Sequence, residues 1–193
     1  MKSIIIAAIG LALLGAGCGN SGSSSRVKTE GVEWRLDVYK PVDLSEPMYG
    51  FSGKTECSVA DTAEVNEAVR ELKNCGNVKS GWLPSKQEGM LRLVVYESEP
   101  LISERVQIKE LYTWPDDSAH IQVSFNFYDK EKWAAITRDN IGRRLAMAVD
   151  GKLVCDPQVN MQIEEGACAV SLTSDILKGY IPDIYLDKIK QAD

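Results

Sequence analysis

A change of hydrophobic period within residues 121–172 constrains this chain more than any other feature. From Ile121 to Phe127 the apolar residues Ile121, Val123, Phe125 and Phe127 alternate with polar ones, as in a strand with one buried face. The period then lengthens. Asp129 stands where an N-cap belongs, and Trp133, Ile136 and Asn140 fall on one helical stripe with Ala135 beside it. Asn140 and Gly142 offer a helix stop, because glycine enters left-handed backbone without a Cβ clash. Leu145–Val149 has no polar residue on either face, which predicts a central strand covered on both sides. Asp150-Gly151 supplies the positive φ angles of a tight turn and returns the chain along Lys152–Cys155. Strand, helix, strand, turn and strand predict an α+β fold, mainly antiparallel sheet with helices packed on one face. At 193 residues there is room for one core or two small subdomains.

The first half reads in the same class. Glu33–Val38 alternates Trp34, Leu36 and Val38 against charges, an early half-buried strand. Residues 41–53 are rich in Pro, Gly and Ser and read as a loop, with a short strand near Met48–Phe51. Asp61-Thr62-Ala63-Glu64 has the form of a capping box, and Val65, Ala68, Val69, Leu72 and Cys75 follow at helical spacing until Gly76. Residues 78–89 read as a connection to a strand at Leu91–Tyr96. Glu104–Leu111 fits either period, and the turn signal at residues 114–118 favours a strand entering a hairpin.

Residues 1–17 read as a signal peptide, with Lys2 as the positive end and Ile4–Leu14 as an apolar run too short to span a bilayer comfortably. Gly15-Ala16-Gly17-Cys18 resembles a bacterial lipobox, although Leu14 stands four residues before the cysteine rather than three. Lipidation at Cys18 is the expectation, with ordinary secretory cleavage beside an incidental cysteine as the alternative. Two acyl chains hold a protein on a membrane where one holds it only marginally. Residues 18–28 would then be the lipidated Cys and a flexible Gly/Ser tether. The lack of an acidic residue at position 19 favours the outer membrane over the inner one. No apolar run of spanning length follows Cys18.

The net charge is −6, and removal of the leader takes away Lys2 and no acid. Such a balance argues against nucleic acid and against an anionic lipid surface, which both reward Lys/Arg clusters. Besides Cys18 there are four cysteines, in an exported chain where disulfides persist. Four allow three pairings, of which Cys57–Cys75 and Cys155–Cys168 are the local ones; free buried thiols are the alternative. No close Cys or His pair of the kind zinc needs occurs, so no metal is expected.

Catalytic constellations are scarce. His120 is the single histidine, so every Ser/His/Asp or Cys/His scheme must pass through it, and its place at a strand end beside a turn reads as structural. Asp116-Asp117 reads as a solvated turn, and the neighbours Glu164 and Glu165 would point to opposite faces of a strand. No phosphate loop, dinucleotide fingerprint, zinc-protease motif or nucleophile elbow is present. The chain reads as a non-enzyme with no cofactor. Of its four tryptophans, Trp34 and Trp133 fall on core stripes. Trp82 and Trp114 fall in expected turns, where each could anchor a partner or simply cover the edge of the core.

One resemblance runs through the second half. Val123-Ser124-Phe125, then Ile136-Thr137-Arg138-Asp139-Asn140-Ile141-Gly142-Arg143-Arg144-Leu145-Ala146, Val149-Asp150-Gly151-Lys152-Leu153, and Pro157, Val159, Asn160, Ile163 and Gly166 carry it, led in by Glu99-Pro100-Leu101-Ile102. They resemble the head subdomain of the first periplasmic domain of SecD, a subunit of the Sec protein-export machinery. Cys155, Cys168 and Ser171 depart from that pattern, two of them where small polar residues and the last where a glycine is expected. The resemblance implies a head-like α+β region over residues 99–193, behind the N-terminal α+β region read over residues 29–98 and the expected lipid anchor, and without the parent's proton-driven motor. It implies a module that binds exported or unfolded polypeptide or Sec-type proteins; Trp82 and Trp114 in their expected turns, with Gln158 and Asn160 in the loop after Cys155, are the candidate contact residues. The competing expectation is a structural or assembly lipoprotein that holds one fixed envelope partner. A hydrolase working through His120 is a distant third.

Overall fold

The computed structural model describes residues 8–9, 25–72, 76–114 and 117–191. In chain order it has β1 (Ala8–Ile9), β2 (Arg26–Lys28), β3 (Glu33–Tyr39), β4 (Glu56–Ser58), α1 (Thr62–Arg70), β5 (Val78–Pro84) and β6 (Met90–Glu97). There follow β7 (Ile102–Trp114), β8 (Asp117–Asn126), α2 (Lys130–Asp139), β9 (Ala146–Val149), β10 (Lys152–Cys155), β11 (Gln158–Val159), β12 (Ala167–Thr173), α3 (Ser174–Leu177) and α4 (Asp183–Gln191). The expected α+β class holds, with two sheets of antiparallel strands and few helices.

The main sheet runs β10-β9-β3-β7-β8-β12, with β2 added to the far half of β7. One face is the principal core. Trp34, Leu36, Val38, Met147 and Val149 from the central strands meet Trp133 and Ile136 of α2, Leu177 of α3, and Leu186 and Ile189 of α4. Trp133 lies fully buried against Phe127, the ring centroids 4.2 Å apart. The opposite face at β3, β9 and β10 presents Tyr39, Ala146, Ala148 and Leu153 to Leu83, Val94 and Tyr96 of a second sheet, β4-β6-β5. The far face of that sheet packs Leu93 and Val95 on Val65 and Val69 of α1. Helices, large sheet, small sheet and helix thus stack in layers. Leu145–Val149 lacks polar residues because β9 is covered from both sides, as its pattern predicts.

Local chemistry explains the joints. Asp129 Oδ1 accepts the Lys132 N–H at 3.0 Å and starts α2. Asp150 at φ 49° and Gly151 at φ 78° form the turn between β9 and β10. The small sheet depends on Gly81, where a Cβ would stand 2.8 Å from Leu153 Cδ2 and 2.9 Å from its Cβ. Glycine in this strand permits the close approach of the two sheets.

Several expectations change. Residues 78–84, read as part of a connection, are β5. Met48–Phe51 contains no strand: Pro47–Tyr49 is a single 3-10 turn, for which a proline at its start suits the fixed φ. Asp61 does not close a capping box, because its carboxylate accepts the Ser58 hydroxyl instead. Arg26–Lys28, expected in the tether, is a strand paired to Tyr112–Glu110 of β7. Cys18, Cys75 and the remainder of the leader lie outside the described residues.

Candidate functional site

The two ends of the main sheet come round to face each other. β10 and β12 are its terminal strands, yet they pack together, and Cys155 of β10 lies against the cluster that buries Cys168 of β12. A cleft of about 360 Å³ opens where these ends meet the small sheet. Val154, Pro157, Leu172 and Ile176 line it with apolar surface, and Leu83 and Pro84 of β5 close one side.

Its polar side is built on Asp156, which is only 7% exposed. Arg92 of β6 grips the Asp156 carboxylate with two N–H donors at 2.9 and 2.6 Å. Arg144 donates to the Asp156 carbonyl at 2.7 Å and to Oδ1 at 3.2 Å. A planar guanidinium matches a carboxylate in this two-pronged way where an ammonium could not. With Lys86 and Glu56 on the same walls, the cleft keeps one cation in surplus over its carboxylates.

The residues that carry the resemblance hold the neighbouring loop in place. Thr137, fully buried on α2, donates to the Trp133 carbonyl at 3.0 Å and accepts the Ile163 N–H at 2.9 Å. The Asn140 amide donates back to the Ile136 carbonyl at 2.8 Å. Gly142 turns at φ 80° and donates its N–H to Val159, whose own N–H bonds Arg143. Leu145 then enters the core with its N–H on the Pro157 carbonyl. This run therefore fastens residues 156–163 to the end of α2 and leaves Ile141 and Met161 about half exposed.

The expected site residues are dispersed. Trp82 is half-buried and donates to Asn66 Oδ1 at 3.2 Å, beside α1. Trp114 is 42% exposed at the β7–β8 turn, edge-on to Tyr112. Gln158 donates to the Gly142 carbonyl, and Asn160 is exposed in the next loop. None of these four lines the cleft. Cys155 and Cys168 are free thiols, so the expected disulfide between them is not formed, and Cys57 is likewise free. Burial pushes the Cys155 and Cys168 thiols well above the ordinary thiol range, and at Cys155 the neighbouring Cys168 and Asp156 add to the effect. His120 lines the cleft and pairs with Asp117 at 2.9 Å, but the Ser171 hydroxyl beside it accepts from Gln122. Among the described residues no hydroxyl or thiol is bonded to His120, and no cluster of three or more ligating side chains could hold a metal. The same residues include no helix long and apolar enough to cross a membrane.

Sequence reasoning passed over Arg92, Arg144 and Asp156. Arg144 stood in the recognised run, but its partner and the second arginine lie in separate elements, and no periodic signal joins them.

Residues 83–175 match the family model described as SecDF, P1 head subdomain. Protein translocase subunit SecD of Rickettsia bellii is 27% identical over 113 residues, covering 58% of this chain and 21% of that protein. SecD of Sebaldella termitidis is 26% identical over 130 residues, covering 66% of this chain and 30% of that protein. This chain therefore spans between about a fifth and a third of the length of these curated relatives. Among solved structures, SecDF in its super-membrane-facing form aligns over 82% of this chain and 18% of its own, at 20% identity and a TM-score of 0.37. A second SecDF structure, of a membrane component that enhances protein export, covers 82% of this chain and 62% of its own, at 20% identity and a TM-score of 0.36.

Proposed function

We propose, from the SecDF P1 head-like domain that this chain carries over residues 83–175, that it is a non-catalytic envelope lipoprotein that binds extended or unfolded polypeptide, or a Sec-type export protein that handles such chains. The match to that head is the observation that carries the reading. Cys18 would supply the lipid anchor, with the folded domain outside the cytoplasm and the outer membrane as the preferred support. A physical route is strand addition, in which an extended chain joins a sheet edge through its backbone and is accepted with little regard to sequence. The terminal strand β12 offers such an edge. Trp114, Gln158 and Asn160 lie at or near the surface and serve as contact residues, whereas Trp82 is tied to Asn66.

An adaptor for one fixed envelope partner is the second reading. The exposed Tyr128, Ile141 and Met161 favour it, because large apolar side chains in water suit a shaped interface. Photo-crosslinking in cells from positions 114 and 158 separates the two. A heterogeneous set of exported chains, or Sec subunits, supports polypeptide handling. One stoichiometric envelope protein overturns it in favour of the adaptor.

A further inference from the structure

The gap between the ends of the main sheet is bounded by β10 and β11 on one side and by β12 on the other, and among the described residues no ladder joins β10 to β12. Exposed edges are normally blunted by charge, proline or a bulge. β10 carries Lys152 and a register shift between Leu153 and Cys155, β5 carries Lys79 and Pro84, and β2 is two-thirds basic. β12 has none of these devices. Its seven residues, ACAVSLT, are uncharged, contain no proline and keep unbroken register with β8. Cys168, Val170 and Leu172 point into the core, while the small residues Ala167, Ala169, Ser171 and Thr173 alternate with them half-exposed.

A second observation shows what fits there. β1 pairs in parallel with β11, Ala8 opposite Gln158 and Ile9 opposite Val159, and it also packs on β12. It belongs to the apolar run Ile4–Leu14. The backbone of an apolar segment is thus seated as an added strand in the gap.

We propose that the seam between β11 and β12 receives an extended apolar polypeptide as an extra strand, and that the chain's own β1 backbone, Ala8–Ile9, is its first occupant. The proposal rests on the polypeptide-binding reading above and locates its site. While the leader is attached the seam is filled from within; once residues 1–17 are removed it stands open to another chain. Backbone hydrogen bonds supply the attraction, and the small β12 side chains leave room for varied neighbours. A segment that cannot donate its N–H groups is excluded, and a charge on the open edge repels an apolar strand.

The full chain made by membrane-free translation keeps its leader and provides the test. The probe is a fluorescent peptide of residues 4–11 flanked by lysines, read by anisotropy. The unaltered chain should bind it weakly. Ile9→Pro, which removes a backbone N–H from the seated strand, should tighten binding at least tenfold. Adding Ala169→Lys should reverse that gain without moving the thermal midpoint. Hydrogen exchange gives a readout independent of the peptide: amides of β11 and β12 should exchange at least tenfold faster in Ile9→Pro than in the unaltered chain. Equal affinities and equal exchange with and without Ile9→Pro overturn the seam as the site. If a reduced, carboxymethylated protein still binds in that case, the broader polypeptide reading survives. If no form binds peptide or unfolded protein, both fall.

Discussion

Arg92 and Asp156 join the small sheet to the end of the large one through two hydrogen bonds, Nη1 to Oδ2 at 2.9 Å and Nη2 to Oδ1 at 2.6 Å. The carboxylate is nearly enclosed and also receives Arg144, so its loss strands Arg92 and leaves Arg144 with the Asp156 carbonyl alone.

Replacing Asp156 by Ala should lower unfolding free energy by about 3 kcal/mol, the lower end of the range for removing one partner of a buried pair, because Arg92 keeps part of its water contact. Urea denaturation reads the change. A loss under about 0.5 kcal/mol would show that the pair is no more than a surface contact.

Gly81→Ala should destabilise by about 1–3 kcal/mol through overpacking, since the new methyl would lie 2.9 Å from Leu153 Cβ. That atom sits next to the backbone and cannot rotate aside, so the sheets must part. The thermal midpoint of the variant checks this; an unchanged midpoint would mean that the sheets slide freely.

The thiols of Cys155 and Cys168 bring a pH dependence. Both hold their protons more tightly when folded than in the open chain, where thiols ionise near pH ~8.5. Above that point the unfolded state binds fewer protons than the folded one, so stability is full below about pH 8.5 and declines as pH rises toward the folded values. Urea midpoints between about pH 7.5 and 9.5 should fall for the native chain and stay flatter for the Cys155→Ala, Cys168→Ala double variant. The Cys168 thiol, 5% exposed, should react with a thiol reagent at neutral pH only on unfolding; fast labelling of Cys168 in the folded chain, located by peptide mass, would contradict its burial.

Cys18→Ala should move the protein from the membrane pellet to the soluble fraction. Continued tight association after carbonate washing would rule out an acyl anchor at this residue.

What the residues declared in advance was local. Asp129 announced the start of α2, Asp150-Gly151 announced the hairpin, and the unbroken apolar Leu145–Val149 announced a strand covered on both faces. β5 stayed hidden because Lys79, Ser80 and Pro84 break any alternation; the strand is specified by Gly81 meeting Leu153, a contact that exists only in the folded chain. Asp61 had two partners within reach, and Ser58 won it from the helix. The Arg92–Asp156–Arg144 cluster and the seam were illegible for a similar reason. Each is made by segments that meet only when the large sheet curls back on itself.

β3 has a consequence for how the molecule is made. It lies between β7 and β9, with Leu36 opposite both Glu104 and Val149, and it precedes the segment that matches the export head. A fragment cut to residues 83–175 would lack the middle of its own sheet. During synthesis the central strand emerges first and both of its neighbours come much later, so closure waits for pairings distant in sequence, which are slow to form. The strand that holds the middle of the sheet is thus a keystone that cannot be set until the last of its neighbours has been made.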